Sequence, residues 1–261
     1  MGRVRYPTVL LTSPPIGGRP GVGTTTADFG VCRFCHGPTQ PGYGRCFCCA
    51  TVAARLGMPL VPVVAMTTYR LGDAMHQLLR RYKDSPVPEA RHRAVEQCVR
   101  LLATFVDGHR EDIQTRSCGS WDAVVTVPST TRPEGSPVDA VVSEVASLRV
   151  DHRRLLVRGP VPMDHLQPAR QGFVLDPAVD VRSLARLRVL VVDDSYTTGA
   201  RAQSAATALR LAGAHVGAIL VLGRVIAPRS CPWHAAFWAA HIGQGSGHSA
   251  GCTAPGWQRA W

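Results

Sequence analysis

The stretch VLVVDDSYTTGARA, from Val189 to Ala202, constrains the fold more than any other part of the chain. Its unbroken aliphatic run reads as a strand buried on both faces, which calls for a parallel sheet covered by helices. Two acids end that strand, a Thr-Thr-Gly turn follows, and an alanine-rich helix begins. In open α/β sheets ligands bind at the carboxyl ends of strands, where a helix start offers free N–H groups and a favourable dipole to phosphate. Gly199 allows close backbone approach, Thr197 and Thr198 add hydroxyl donors, and Asp193 and Asp194 can accept hydrogen bonds from vicinal sugar hydroxyls. The segment therefore suits a ribose 5-phosphate gripped at both ends. A receiver domain also places paired acids after an apolar strand, but on its first strand. It would need four more βα units at roughly 30 residues each, and too little chain follows Asp194.

The rest of the chain sets this motif in an α/β rhythm. Ala123 to Val127, Arg154 to Val157, Arg188 to Val192 and Val216 to Leu222 read as strands, with helices near Pro137 to Leu148 and from about Gly199 to Leu211. Upstream, Leu71, Met75, Leu78, Leu79 and Tyr82 recur at helical spacing, and Ala94, Val95, Cys98, Leu101, Leu102 and Phe105 repeat the pattern. The expected organisation is a disordered Gly/Pro/Thr-rich segment (1–30), a metal knuckle (31–66), a helical linker (67–118), an open parallel-sheet α/β domain (119–228) and an irregular tail (229–261).

Five of the nine cysteines lie between Cys32 and Cys49. Cys32, Cys35, Cys46 and Cys49 form two C-x2-C knuckles, a ligand set suited to tetrahedral structural zinc. Cys48 would offer a tighter C-x-C alternative, but the x2 spacing lets backbone N–H groups point at sulfur, which favours Cys49. Such clustering without a secretory pattern points to a cytoplasmic chain that holds metal rather than disulfides. No apolar run approaches the ~20 residues of a membrane span. The net charge of +11 fits polyanionic partners, whether phosphorylated metabolites or nucleic acid.

With these residues identified, the Val189–Ala202 string resembles the phosphoribosyl pyrophosphate signature of the type I phosphoribosyltransferases. Zinc knuckle, helical linker and α/β domain in this order resemble the competence-factor F (ComF-like) branch of that superfamily. The resemblance implies that Asp193 and Asp194 hold the ribose hydroxyls, while Ser195, Tyr196, Thr197, Thr198, Gly199, Ala200 and Arg201 wrap the 5-phosphate. Arg201 stands where the family has a small hydroxyl residue. VVTVPSTTR, Val124 to Arg132, matches the strand and pyrophosphate loop, so Ser129, Thr130, Thr131 and Arg132 would cradle the leaving group. The family's Arg-Gly-Phe-Asn-Gln string is replaced there by RPEGSP. HLQPARQGF, from His165 to Phe173, resembles the mobile hood, whose Gln167 and Arg170 would close over pyrophosphate.

By this resemblance the chain is a glycosyltransferase of the phosphoribosyl type, using Mg²⁺ with phosphoribosyl pyrophosphate beside structural Zn²⁺. Two other readings stand next to it. One is a non-catalytic phosphoribosyl pyrophosphate binder acting in DNA uptake or recombination, with single-stranded DNA or uptake proteins as partners. The other is a zinc-finger nucleic-acid-binding protein. Cys231, His234, His241, His248 and Cys252 carry zinc-type ligands at loose spacing and read as a tail with incidental histidines, while Trp233, Phe237 and Trp238 read as packing residues. Lys83 is the chain's single lysine, a choice that matters only where a guanidinium does not fit.

Overall fold

The computed structural model describes residues 29–242, apart from 118, 130, 131, 133 and 134. In chain order the elements are β1 (Gly30–Val31), β2 (Pro38–Thr39), α1 (Phe47–Leu56), β3 (Val63–Ala65), β4 (Thr68–Tyr69), α2 (Ala74–Asp84), α3 (Pro88–Arg116) and β5 (Ala123–Thr126). There follow α4 (Pro137–Glu144), α5 (Ala146–Arg149), β6 (Leu156–Arg158), β7 (Phe173–Leu175), a 3-10 turn (Val181–Leu184), β8 (Arg188–Tyr196), α6 (Ala200–Leu211), β9 (His215–Val225) and α7 (Pro232–Ile242).

The core is the expected parallel sheet, in the order β3-β9-β8-β5 with β4 also pairing β9. Alternation along the strands fills both faces. Val189, Val191, Ile219 and Val221 point into a core layer shared with the cysteines, Val52 and Leu56 of α1 and the alanines of α6. Leu190, Val192, Ala218 and Leu220 point into a second layer built with α2, α3 and α4. A sheet covered on both sides is why its strands read as uninterrupted apolar runs. Gly217 lies at the register shift opposite Val189 and Leu190, where an added Cβ would stand 2.3 Å from the Ser117 carbonyl oxygen, so the missing side chain lets the end of α3 close on the strand.

Several expectations change. The metal knuckle does not end as a separate unit at residue 66: β3 lies inside that segment yet belongs to the sheet, and the Gln203 side chain of α6 exchanges two hydrogen bonds with the Val61 backbone, at 3.0 and 2.8 Å. Arg154 to Val157 is not a strand of the main sheet. Residues 151–153 touch β5, the Val124 N–H donating to Asp151 O at 2.8 Å and the Arg153 N–H to Val124 O at 2.9 Å. The chain then leaves after Arg153, and the exposed Arg154 that follows would not suit a sheet buried on both faces. It forms instead the antiparallel ribbon β6-β7.

Leu71 is exposed, since the Asp73 carboxylate accepts from the His76 N–H and starts α2 only at Ala74. The tail from Arg229 is not wholly irregular either. It contains α7, held by the fully buried Phe237, whose ring meets Phe29 edge-on at 5.5 Å beside Ile226. No helix among the described residues is long and apolar enough to cross a membrane.

Candidate functional site

β8 runs through the acids to Tyr196 and stays paired with β9 as far as Tyr196 opposite Arg224. The turn is then made by Gly199 in the left-handed region (φ 86°), where a Cβ would lie 2.1 Å from the Tyr196 hydroxyl oxygen. Only glycine fits both that conformation and that contact. Asp193, Ser195, Tyr196, Thr197, Thr198, Gly199, Ala200 and Arg201 line a cavity of about 280 Å³, closed on the other side by Met163, Asp164 and His165. Thr198 differs from expectation: its hydroxyl donates to the His165 carbonyl, so it ties the turn to the 163–165 segment. The same hydroxyl accepts from the Ala200 N–H at 3.4 Å, and Ser195 is engaged by Tyr69 and Asp194, while Thr197 is exposed at the mouth of the cavity.

A second cavity of about 80 Å³ adjoins it, lined by Lys83, Asp84, Val127, Ser129, Arg132, Asp193, Asp194 and Arg201 among others. Asp193 and Arg201 line both cavities. Arg132 donates to the Lys83 carbonyl and to Asp84 Oδ1, each at 2.8 Å, and its own N–H is capped by Ser129 Oγ at 3.0 Å. Thr130 and Thr131 lie outside the described residues. Arg170 lines neither cavity, contrary to the hood expectation. Its guanidinium binds the carbonyls of Leu56 (2.6 Å) and Gly57 (3.3 Å) at the end of α1, a cap that the helix dipole favours. Gln167 is exposed, with its backbone paired to Asp164.

The two acids are buried but not equivalent. From the end of α2, the Tyr82 hydroxyl donates to Asp194 Oδ2 and the Lys83 ammonium pairs with the same oxygen. Burial opposes ionisation of Asp194, yet the Lys83 charge and the hydrogen bonds from Lys83, Tyr82 and Ser195 hold its carboxyl below the usual range. Asp193 accepts the Asp194 N–H at 2.9 Å and feels the Arg201 and Lys83 charges, but these do not offset its burial. Burial first, and the neighbouring Asp194 second, push it up from 3.8 to about 7. Sequence reasoning took Tyr82 for a core residue and left Lys83 open, and the structure gives both a role at Asp194.

A pH dependence follows from Asp193. Between about 3.8 and about 7 the folded chain keeps a proton that the unfolded chain releases. Its contribution to stability is therefore fully present below the lower value and lost as the pH rises through the upper one. Asp193→Asn is expected to melt higher than the wild type at about pH 8, with a smaller gain at about pH 6. A variant that melts lower at the upper pH contradicts the assignment.

The four sulfurs of Cys32, Cys35, Cys46 and Cys49 lie within 4.8 Å of one another, all buried, and Cys48 is not among them. The β1-β2 ribbon carries the first knuckle, closed by the Cys32 N–H to Gly37 O (2.9 Å) and the His36 N–H to Cys32 O (2.8 Å). The second spans the start of α1, with Cys46 as its N-cap. Cys35 Sγ and Cys46 Sγ are 3.7 Å apart. Sulfurs placed tetrahedrally at about 2.3 Å from zinc would be separated by about 3.8 Å, so the set fits the ion. Of the second histidine and cysteine group, Cys231 and His234 join no metal-sized cluster among the described residues, and His248 and Cys252 lie outside them.

No protein-family model matches the chain, and no curated protein matches it. Among solved structures it is similar to adenine phosphoribosyltransferase from Leishmania tarentolae, at 14% identity and a TM-score of 0.32, over 64% of this chain and 94% of that one.

Proposed function

We propose that the chain binds phosphoribosyl pyrophosphate with Mg²⁺ and transfers the phosphoribosyl group from C1 to an acceptor, releasing pyrophosphate, as a zinc-stapled protein of the ComF-like kind. One observation carries the reading: the cavity of the 195–201 turn and a smaller cavity lined by both cations and acids meet at a buried acid pair, on the carboxyl end of a central parallel strand. In this reading the 5-phosphate sits on the 195–201 turn, held by Ser195, Thr197, Arg201 and the free N–H groups of α6. The ribose hydroxyls donate to Asp193 and Asp194, and the charge on the ionised Asp194 also favours the positive charge that builds on the ring as the C1–O bond breaks. Asp194 Oδ1 is buried with no partner, which suits it to a donor of this type. Ser129 and Arg132 face the departing pyrophosphate. Asp193 and Asp194 supply hard oxygen donors of the kind Mg²⁺ takes beside substrate phosphates, and the ion would neutralise charge on the leaving group.

Calorimetric titration with phosphoribosyl pyrophosphate and Mg²⁺ tests this. It is expected to bind more tightly than ribose 5-phosphate or pyrophosphate alone, because each of those leaves one cavity unused. Pyrophosphate release, screened across nucleobases and amines, then identifies the acceptor. Equal affinity for ribose 5-phosphate and the full ligand would overturn the two-cavity assignment.

A further inference from the structure

Arg224, near the end of β9, is 4% exposed. Its Nη1 donates to the carbonyls of Tyr196 (3.0 Å), Thr197 (2.5 Å) and Val225 (3.0 Å), and its Nη2 reaches Cys35 Sγ at 3.5 Å. The guanidinium also lies 5.2 Å from the centre of the Tyr196 ring. Gly37 makes room for it, since a Cβ there would stand 2.7 Å from Nη2. A buried guanidinium is costly unless its charge is met. These hydrogen-bond partners are three carbonyls and a sulfur, none of them a carboxylate. The compensating charge is at the cysteine centre, where four thiolates around one divalent ion leave a net negative charge. The same side chain thus touches a zinc ligand at one end and, at the other, two carbonyls of the segment that shapes the phosphate turn.

We infer that Arg224 is a positioning residue that couples the cysteine centre to the phosphate turn. The metal-bound thiolates hold the guanidinium, and the guanidinium fixes the Tyr196 and Thr197 carbonyls so that the turn is shaped before a phosphate arrives. This rests on the functional reading above, which assigns the turn to a phosphate. Coupling between two sites is reciprocal. If the metal favours the ligand-binding shape of the turn, a ligand on the turn must favour retention of the metal by the same factor. A residue that served only to fill space would not link the two.

The test measures the zinc affinity of the full chain by equilibrium competition with a zinc-selective chromogenic chelator, with and without saturating ribose 5-phosphate, whose binding is measured in parallel by calorimetry. Ribose 5-phosphate is expected to tighten zinc binding by the wild type about 10-fold, within the usual range for coupled sites. In Arg224→Met, and in Arg224→Lys, which keeps the charge but not the planar fork, the ratio of the two affinities is expected to fall towards one even where the absolute affinities change. Unchanged zinc affinity of the wild type while ribose 5-phosphate binds would overturn this inference alone. Absence of any ribose 5-phosphate binding would overturn the functional reading as well. An undiminished ratio in both variants would remove Arg224 from the link.

Discussion

Replacing Cys32 and Cys35 together by serine is expected to release the zinc ion and to lower the melting temperature by at least about 10 °C. Binding of structural zinc to four thiolates is worth about 10–16 kcal/mol in small modules at neutral pH, as much as the whole net stability of an ordinary domain. Each kcal/mol lost moves the midpoint by about 2–4 °C in a chain of this size. The effect is not confined to the β1-β2 ribbon. The cysteines share a core layer with Val63 of β3, Val191 of β8 and Ile219 of β9, so loss of the metal uncovers one face of the sheet. Metal analysis and circular dichroism measure both consequences, and full zinc retention in the double variant would defeat the assignment.

The second large effect concerns the acids. At about pH 8, above the Asp193 value of about 7, Asp193→Asn with Asp194→Asn is expected to weaken phosphoribosyl pyrophosphate binding by about 2–4 kcal/mol, or about 30- to 700-fold, because two charge-assisted hydrogen bonds to the ribose become neutral ones. The amide oxygen at 194 can still accept from Tyr82 and Lys83 although the ion pair is lost, and circular dichroism of the double variant checks that α2 stays in place. Asp193→Asn alone separates function from stability, since the substitution expected to raise the melting temperature of the free protein is also expected to reduce affinity. Unchanged affinity in the double variant would refute the ribose role.

The features readable from the sequence are those whose chemistry is contiguous. Asp193 to Arg201 lie on one strand, turn and helix start, and the two C-x2-C knuckles are each closed by local backbone, so both sites survive translation into one dimension. Arg224 does not, because its partners come from β1-β2 and the β8 turn. The available signal was a lone arginine in VGAILVLGRV, an apolar strand that had no other reason to hold a charge. Arg154 to Val157 misled because a short β-branched run looks alike in a central sheet and in a two-stranded ribbon. Helix α7 escaped because PWHAAFWAAHI is apolar around most of its circumference and shows no period. Arg170 carried the right charge in the right string, yet the nearer demand came from the bare carbonyls at the end of α1.

The pairing of β3 and β4 with β9 has a consequence for synthesis. Residues 63–69 must wait for residues 219–225 before they have a strand to pair with, a separation that spans most of the described chain. Contacts so distant in sequence slow folding, because loop closure must precede any reward from pairing. On the ribosome, the cysteine ribbon emerges before the strands of the sheet, and its four sulfurs can gather around an ion from local geometry. The face it presents to the sheet stays uncovered until the last parallel strand is released. Metal capture by the cysteine set would therefore precede closure of the sheet, and a nascent chain short of zinc would reach that closing step with its cysteine segment still unfolded.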